Sequence, residues 1–201
     1  NKFIPRATVF IDADSAIEEV EKRILRLNEK LVMGYGLNFG ITHGEYLYDE
    51  KSDKIYLVEI AARGGGVFIS SDLIPLGCGV DANRLLVENA LGLNTANEPI
   101  ILESGASAYF CYLLPEGKII SIENAEKIEK IDGVHKAFFD NVSVGMEISN
   151  VIDKSSRKGP ILVYGKTKQD CYDVINNVKK VLRIKVKTEN NGIKEIQWEA
   201  Q

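Results

Sequence analysis

Two glutamates, Glu45 and Glu59, occupy two alternating segments whose pattern predicts the strands of a β-hairpin. The segments are Ile41–Tyr48 and Ile55–Ala62, and a tight loop at Lys51–Asp53 places Glu45 directly opposite Glu59. Because side chains alternate between the faces of a strand, the two carboxylates then share one patch. Like charges directly opposite each other destabilise a hairpin. A hard divalent cation, Mg²⁺ or Mn²⁺, is the candidate that would compensate them.

An arginine and three glycines follow the second strand, and they are candidates for holding an anion: Arg63, Gly64, Gly65 and Gly66. Consecutive glycines are typical of a main chain that approaches something closely or turns sharply. The same register places His43 opposite Ala61, where the histidine is a candidate contact for a phosphate or substrate. It also places Leu47 opposite Leu57. The residues alone leave a second interpretation open, in which the glutamates are solvated, the glycines form a flexible turn and His43 has only a backbone partner.

These residues also carry a resemblance. The order Thr42–Glu45, a hairpin, Val58–Gly66, a helix and Gly79–Asp81 resembles the C-terminal half of an ATP-grasp ligase. The branch it looks most like is that of the carboxylate–amine ligases of the L-amino-acid ligase type, related to biotin carboxylase and the carbamoyl phosphate synthetase large chain. The resemblance covers roughly residues 1–185.

The resemblance implies roles for individual residues. Glu45 and Glu59 match the two acidic positions that ligate the Mg²⁺ (or Mn²⁺) ions bridging the phosphates of ATP. Arg63 matches the catalytic arginine that contacts the γ-phosphate or the substrate carboxylate, and the glycines and His43 would lie beside the same anion. Where the family carries asparagine between the second acid and this arginine, the present chain has Ala61, which places a third metal ligand in doubt.

The implied function is that of part of an ATP-dependent carboxylate–amine (or thiol) ligase, which activates a carboxylate as an acyl phosphate. Its implied cofactors and partners are ATP, Mg²⁺ or Mn²⁺, a small carboxylate and an amine, and a homodimer is left open. The chain begins at Asn1, so we expect a fragment that lacks the N-terminal domain and lid and is inactive alone. The alternative is a non-catalytic binding or regulatory module derived from an ATP-grasp fold.

The predicted fold class is α+β. The resemblance implies the C-terminal part of an ATP-grasp domain over residues 1–98, with an antiparallel sheet flanked by helices, followed by a small biotin carboxylase-like α+β lobe over 99–201. The polar run Asn94–Pro99 supports a boundary there. In the first part, an amphipathic helix beginning at Ala16 after an N-cap at Asp14 or Ser15 precedes the hairpin.

Further elements are predicted downstream. Helices are expected over 67–76 and 81–91, the second capped by Asp81. The resemblance implies that Ser70, Ser71 and Asp72 in the first helix are substrate candidates, whereas the residues alone leave an ordinary capping Ser-Asp open. Strands over 106–114 and 118–122 are predicted to form a second hairpin around Pro115–Gly117. Another strand is expected over 142–148, and a sheet-packing helix over 168–182.

Composition narrows the function classes. The net charge of −4 argues against general nucleic-acid binding, which needs clustered cations. The three cysteines lack metal-ligand spacing and are expected to be reduced thiols. Without an apolar run of membrane-spanning length or a signal peptide, we expect a cytoplasmic protein with no membrane partner.

Overall fold

The computed structural model describes residues 7–9, 19–37, 39–93, 103–149, 156–196 and 198. The chain divides into two compact units, Ala13–Glu103 and Ser104–Gln201 together with Asn1–Asp12. We call the first the hairpin unit and the second the C-terminal unit. The predicted helix start near Asp14 and the predicted connection at Asn94–Pro99 lie outside the described residues, and the division into domains at 98/99 stays a prediction.

The hairpin unit contains one antiparallel strand pair and several helices. In chain order these are α1 (Glu19–Gly34), β2 (His43–Asp49), β3 (Lys54–Ala61), a π-helical turn (Ile69–Leu73), α2 (Ile74–Cys78) and α3 (Ala82–Ala90). As predicted, Asp81 caps α3, because its carboxylate accepts a hydrogen bond of 2.9 Å from the Arg84 backbone N–H. None of the residues of α1 is fully buried.

The hairpin pairing is correct at one end and shifted at the other. His43 lies opposite Ala61 and Glu45 opposite Glu59, as predicted, but a β-bulge follows Glu45. The extra residue on β3 shifts the partners by one, so that Leu47 faces Tyr56 instead of the predicted Leu57. The turn is correspondingly one residue longer than the predicted loop.

The helix predicted to begin at Val67 begins two residues later. Val67 and Phe68 have positive φ angles of 52° and 62°, in the left-handed region that β-branched and bulky side chains rarely adopt. A helix cannot pass through such residues, so the helical chain starts at Ile69 with a single π-helical turn.

The C-terminal unit contains two four-stranded sheets. Their strand orders are β1-β4-β8-β6 and β10-β9-β5-β7. The elements are β1 (Ala7–Val9), β4 (Ala106–Tyr112), β5 (Gly117–Glu123), α4 (Ala125–Ile128), β6 (Val134–Ala137), β7 (Glu147–Ile148), β8 (Lys158–Gly165), α5 (Lys168–Val181), β9 (Arg183–Lys187) and β10 (Ile193–Glu195). Side chains from both sheets and from α5 form one hydrophobic core, which includes Phe110, Ile119, Ile161, Val178 and Ile184.

Two predictions for this unit are wrong. β4 and β5 do not form a hairpin, because they belong to different sheets. β5 joins the second sheet because it pairs with β7 and β9. Gly117 permits this pairing, since its φ is 134° and a Cβ there would lie 2.2 Å from the Lys187 carbonyl oxygen at the end of β9. The strand expected over 142–148 is reduced to Glu147–Ile148, since the chain turns at Gly145, whose φ is 92°.

Two further observations concern the cysteines and the helices. The three cysteines are free thiols, with Cys111 and Cys171 buried and Cys78 half-buried. In the described ranges, no helix combines the length and the apolar character that crossing a membrane requires.

Candidate functional site

The end of the β2–β3 hairpin brings two carboxylates together. Glu45 and Glu59 are direct partners in the antiparallel register, and their side chains are 52% and 55% exposed. Like charges in this position repel each other. Because both side chains are half in solvent, their oxygens remain accessible to a cation from outside the protein.

Each glutamate has one basic neighbour. The Arg63 Nη2 atom lies 3.7 Å from Glu59 Oε1, and the His43 Nε2 atom lies 3.6 Å from Glu45 Oε1. Both distances exceed that of a normal hydrogen bond, so these are loose pairs. Arg63 uses Nη1 to donate a hydrogen bond of 3.0 Å to the carbonyl oxygen of Gly64. The structure therefore brings all four predicted charged or titratable residues to one end of the hairpin.

The glycine segment 64–66 is tightly packed at two of its three positions. A Cβ at Gly64 would lie 2.3 Å from Ser70 Oγ, and one at Gly65 would lie 2.9 Å from Ile69 Cγ2 and 3.1 Å from His43 Nδ1. At Gly66 no atom lies within 4 Å of the Cβ position. The first two glycines are thus needed for close approach, whereas Gly66 has open space around it.

A tight turn over residues 66–69 folds the chain back onto the glycine segment. The Ile69 N–H donates to the Gly66 carbonyl oxygen at 3.2 Å, and the two residues between them, Val67 and Phe68, both have positive φ. The turn brings Ile69 and Ser70 back over the first two glycines. Holding a β-branched residue such as Val67 in the left-handed region costs about 1–2 kcal/mol, so the surrounding contacts must impose this conformation.

Gly64→Ala should destabilise the protein, because the added methyl group would overlap Ser70 Oγ. Overpacking of this kind typically costs about 1–3 kcal/mol. Gly66→Ala is the matched control, since it makes the same change where nothing is in contact. The measurement is the free energy of unfolding of the full-length variants in urea. Equal stabilities for the two variants would contradict the close approach.

The hairpin is held on α1 at two places. At the turn, Arg23 Nη1 donates to Asp53 Oδ1 at 2.6 Å, and the Tyr48 hydroxyl donates to the same oxygen at 3.0 Å. These two hydrogen bonds, that from Arg23 above all, lower the pKa of the Asp53 carboxyl. Nearer the glutamates, the Tyr46 hydroxyl donates to Asn28 Oδ1 at 2.8 Å. Helix α1 thereby orients the strand that carries Glu45.

The sequence interpretation missed Gly44, which makes the second contact possible. A Cβ at this position would lie 2.8 Å from both Asn28 Oδ1 and Tyr46 Cε2. A glycine inside a strand, directly before a candidate ligand, is the signal that indicates such a close approach.

The remaining candidates differ in their surroundings. Ser70 is buried, and its hydroxyl has no hydrogen-bond partner. The Ser71 hydroxyl donates a hydrogen bond to the carboxylate of Asp72, so these two side chains satisfy each other. Ala61 lies opposite His43 and has no side-chain atom that could ligate a metal.

The carboxylates of Glu45 and Glu59 fit a hard divalent cation whose other ligands are water and phosphate oxygens. Carboxylate oxygens are the ligands that Mg²⁺ prefers, and Mg²⁺ is commonly held by one or two carboxylates together with water and substrate phosphates. Within the part of the chain that the structure describes, no group of three or more His, Cys, Asp or Glu side chains is placed to hold a metal. Glu45 and Glu59 therefore suit a metal that arrives with a phosphate ligand.

Comparisons with known proteins identify the fold. No protein-family model matches the sequence, and no curated protein matches it. Among solved structures, the L-amino acid ligase from Bacillus licheniformis matches with a TM-score of 0.73 at 21% identity, over 90% of this chain and 44% of that chain. Phosphoribosylglycinamide synthetase from Anaerococcus prevotii matches with a TM-score of 0.71 at 16% identity, over 90% of this chain and 45% of that chain.

A third match is weaker. N5-carboxyaminoimidazole ribonucleotide synthetase from Thermotoga maritima gives a TM-score of 0.54 at 17% identity, over 86% of this chain and 44% of that chain. In all three cases the chain spans less than half the length of the matched protein. The α+β chain therefore has the fold of part of an ATP-grasp protein.

Proposed function

We propose that the hairpin unit forms the metal and phosphate site of an ATP-dependent carboxylate–amine (or thiol) ligase. The observation that carries this proposal is the direct pairing of Glu45 with Glu59 beside Arg63 and the glycine segment. The fold shared with proteins named as an L-amino acid ligase and a phosphoribosylglycinamide synthetase supports it. Because the chain covers less than half of each, the activity is proposed for the full-length protein.

Glu45 and Glu59 would hold the metal, one or two Mg²⁺ or Mn²⁺ ions that arrive with ATP. A metal bound there supplies positive charge that neutralises the phosphate oxygens while the γ-phosphoryl group is transferred. Phosphoryl transfer depends mainly on positioning and electrostatic stabilisation. Two carboxylates on paired strands would provide that positioning.

Arg63 would contact the transferred group directly. Its guanidinium is permanently charged and can donate two parallel hydrogen bonds to a carboxylate or phosphate. The backbone N–H groups of the glycine segment would approach the same anion, because these residues carry no side chain of their own and Gly66 has open space at its Cβ position. His43, beside Gly65 and Glu45, would add a further contact on the hairpin side.

The proposed reaction has two steps. First, a carboxylate oxygen of the substrate attacks the γ-phosphorus of ATP, the bond to the ADP oxygen breaks, and an acyl phosphate forms. The nitrogen of an amine, or a thiol sulphur, then attacks the acyl carbon, and phosphate leaves as the new bond forms. The substrates would be a small carboxylate and an amine, and we propose a cytoplasmic reaction without nucleic-acid or membrane partners.

The direct test is a substrate screen with the full-length protein. We expect release of ADP and phosphate that requires Mg²⁺ and is stimulated by one carboxylate from a panel of amino acids and small acids. Mass spectrometry should then show an amide once an amine is added. The 201 residues alone should show no turnover, since they cover less than half of the matched ligases. Absence of any Mg²⁺-dependent ATP turnover by the full-length protein would contradict the ligase proposal.

A non-catalytic nucleotide-binding module is the second candidate, and one observation favours it. Ala61 supplies no metal ligand, and the residues described offer two grouped carboxylates only. A weakened metal site would bind Mg-ATP without turning it over. Calorimetric titration of Mg-ATP into the full-length protein, run beside the substrate screen, separates the two candidates.

A further inference from the structure

Position 61 lies beside the proposed metal ligands and carries no donor atom. Ala61 is two residues beyond Glu59 on β3 with no bulge between them, so the two side chains share a face of the hairpin. Its direct partner is His43, which shares that face with Glu45 in the same way. Two residues along a strand place the Cβ atoms of Glu59 and Ala61 about 7 Å apart. An oxygen at position 61 could therefore hold an ion together with an oxygen of Glu59.

The residues that the structure describes offer oxygen ligands for one ion only. Their His, Cys, Asp and Glu side chains form no group of three that is placed to hold a metal. His43 does not replace the missing ligand for Mg²⁺, because this hard ion prefers oxygen, whereas imidazole suits softer metals. Two ions at this site would have to share the one carboxylate pair, Glu45 and Glu59.

The guanidinium of Arg63 already supplies positive charge at Glu59. Arg63 follows Ala61 by two residues, and its Nη2 atom reaches back to lie 3.7 Å from Glu59 Oε1. The ions of a two-metal site lie about 3.5–4 Å apart. A second ion at Glu59 would therefore come close to the guanidinium, and no third carboxylate from the described ranges would offset their repulsion.

We propose that the hairpin holds a single divalent ion between Glu45 and Glu59, and that Ala61 is the residue that limits the site to one. The guanidinium of Arg63 then provides the positive charge that a second ion would otherwise bring to the phosphates. This inference rests on the proposed function and deepens it, because it specifies the metal content of the same site.

The test is a titration of Mn²⁺ into the full-length protein saturated with a non-hydrolysable ATP analogue. Electron paramagnetic resonance measures the free ion, and the bound ion follows by difference. We expect one Mn²⁺ per chain, with the spectrum of an isolated ion and an affinity that Glu59→Gln lowers by about tenfold or more. Two ions per chain, or the spectrum of a spin-coupled pair of neighbouring ions, would overturn the inference.

Ala61→Asn should create the site for a second ion. The new amide oxygen would lie beside Glu59 on the ligand face, and amide oxygens ligate hard cations. We expect the bound Mn²⁺ to rise from one per chain toward two, with spin coupling between the ions. Ala62→Asn is the matched control, because it makes the same change at the exposed residue that follows β3. It should leave one ion per chain.

The outcomes separate this inference from the proposed function. A folded Ala61→Asn variant, judged by its melting temperature, that still binds one ion would overturn the role given to Ala61. If this variant does not fold, the metal content of the unsubstituted protein decides alone. If the nucleotide-bound protein holds no Mn²⁺, or holds it equally well with Glu59→Gln, the proposed function fails and this inference fails with it. Two ions that both depend on Glu59 would overturn this inference only.

Discussion

Arg63→Ala in the full-length protein should lower kcat/KM for the proposed ATP-dependent reaction by about 10²- to 10³-fold, the usual effect of removing one charged or hydrogen-bonding group that stabilises a transition state. The guanidinium lies 3.7 Å from Glu59 and is 60% exposed, so it is free to turn toward a ligand. Its loop partner, the Gly64 carbonyl, is a single neutral acceptor that does not neutralise its charge. Steady-state kinetics with the substrate found in the screen provides the measurement.

Two variants control for this substitution. Arg63→Lys keeps the positive charge but cannot donate two parallel hydrogen bonds, so we expect it to recover only part of the lost rate. Arg23→Ala removes another arginine of the same unit, one that binds Asp53 at the turn end of the hairpin. It should leave the rate within a few-fold of the wild type. Activity of Arg63→Ala close to that of Arg23→Ala would remove Arg63 from the proposed mechanism.

We expect Mg²⁺ and ATP to stabilise the full-length protein, and Glu59→Gln should abolish most of that stabilisation. The amide keeps the shape of the side chain and one oxygen, but it loses the negative charge that attracts the metal. Even an outer-shell partner of a metal ligand typically contributes about 10- to 100-fold to metal affinity, so a direct ligand should contribute at least as much. At a ligand concentration of about 100 times Kd, the wild type gains about 2.7 kcal/mol, and a hundredfold weaker site retains little of it.

Without the metal, Glu59→Gln should have the opposite effect on stability. Glu45 and Glu59 face each other directly, so Glu59→Gln removes a repulsion and should slightly raise the melting temperature in EDTA. The loose pair with Arg63 is exposed and offsets this only weakly. Glu50→Gln, in the exposed turn of the same hairpin, is the matched control for both conditions. Equal Mg²⁺-dependent stabilisation of Glu59→Gln and Glu50→Gln would reject the metal site.

Several features of the protein are predictable from local sequence. The apolar residues that recur in Ile41–Tyr48 and Ile55–Ala62 predict two strands, and a short polar stretch between them limits the possible registers to a few. The predicted pairing of Glu45 with Glu59 is confirmed, but only because the bulge after Glu45 compensates for a turn that is one residue longer than predicted. The N-cap at Asp81 is equally local, because it depends on a carboxylate and a backbone N–H three residues apart.

Other features depend on which distant segments meet. Pro115–Gly117 has the composition of a hairpin turn, yet Gly117 passes against the backbone of Lys187, and the chain crosses from one sheet to the other. Turn residues restrict only the local backbone angles, and these angles are compatible both with a hairpin and with a chain that crosses between sheets. The sheet to which the next strand belongs is decided by long-range pairing.

The candidate site shows the same division. The sequence by itself determined that acidic, basic and glycine residues follow one another at the end of a predicted hairpin, since residue type and period-two alternation are properties of the local chain. Only the tertiary structure decided that Val67 and Phe68 turn back with positive φ and that Ser70 is buried against Gly64. Neither valine nor phenylalanine favours such a turn, so contacts between segments must impose it. Those contacts form only when the chain has folded.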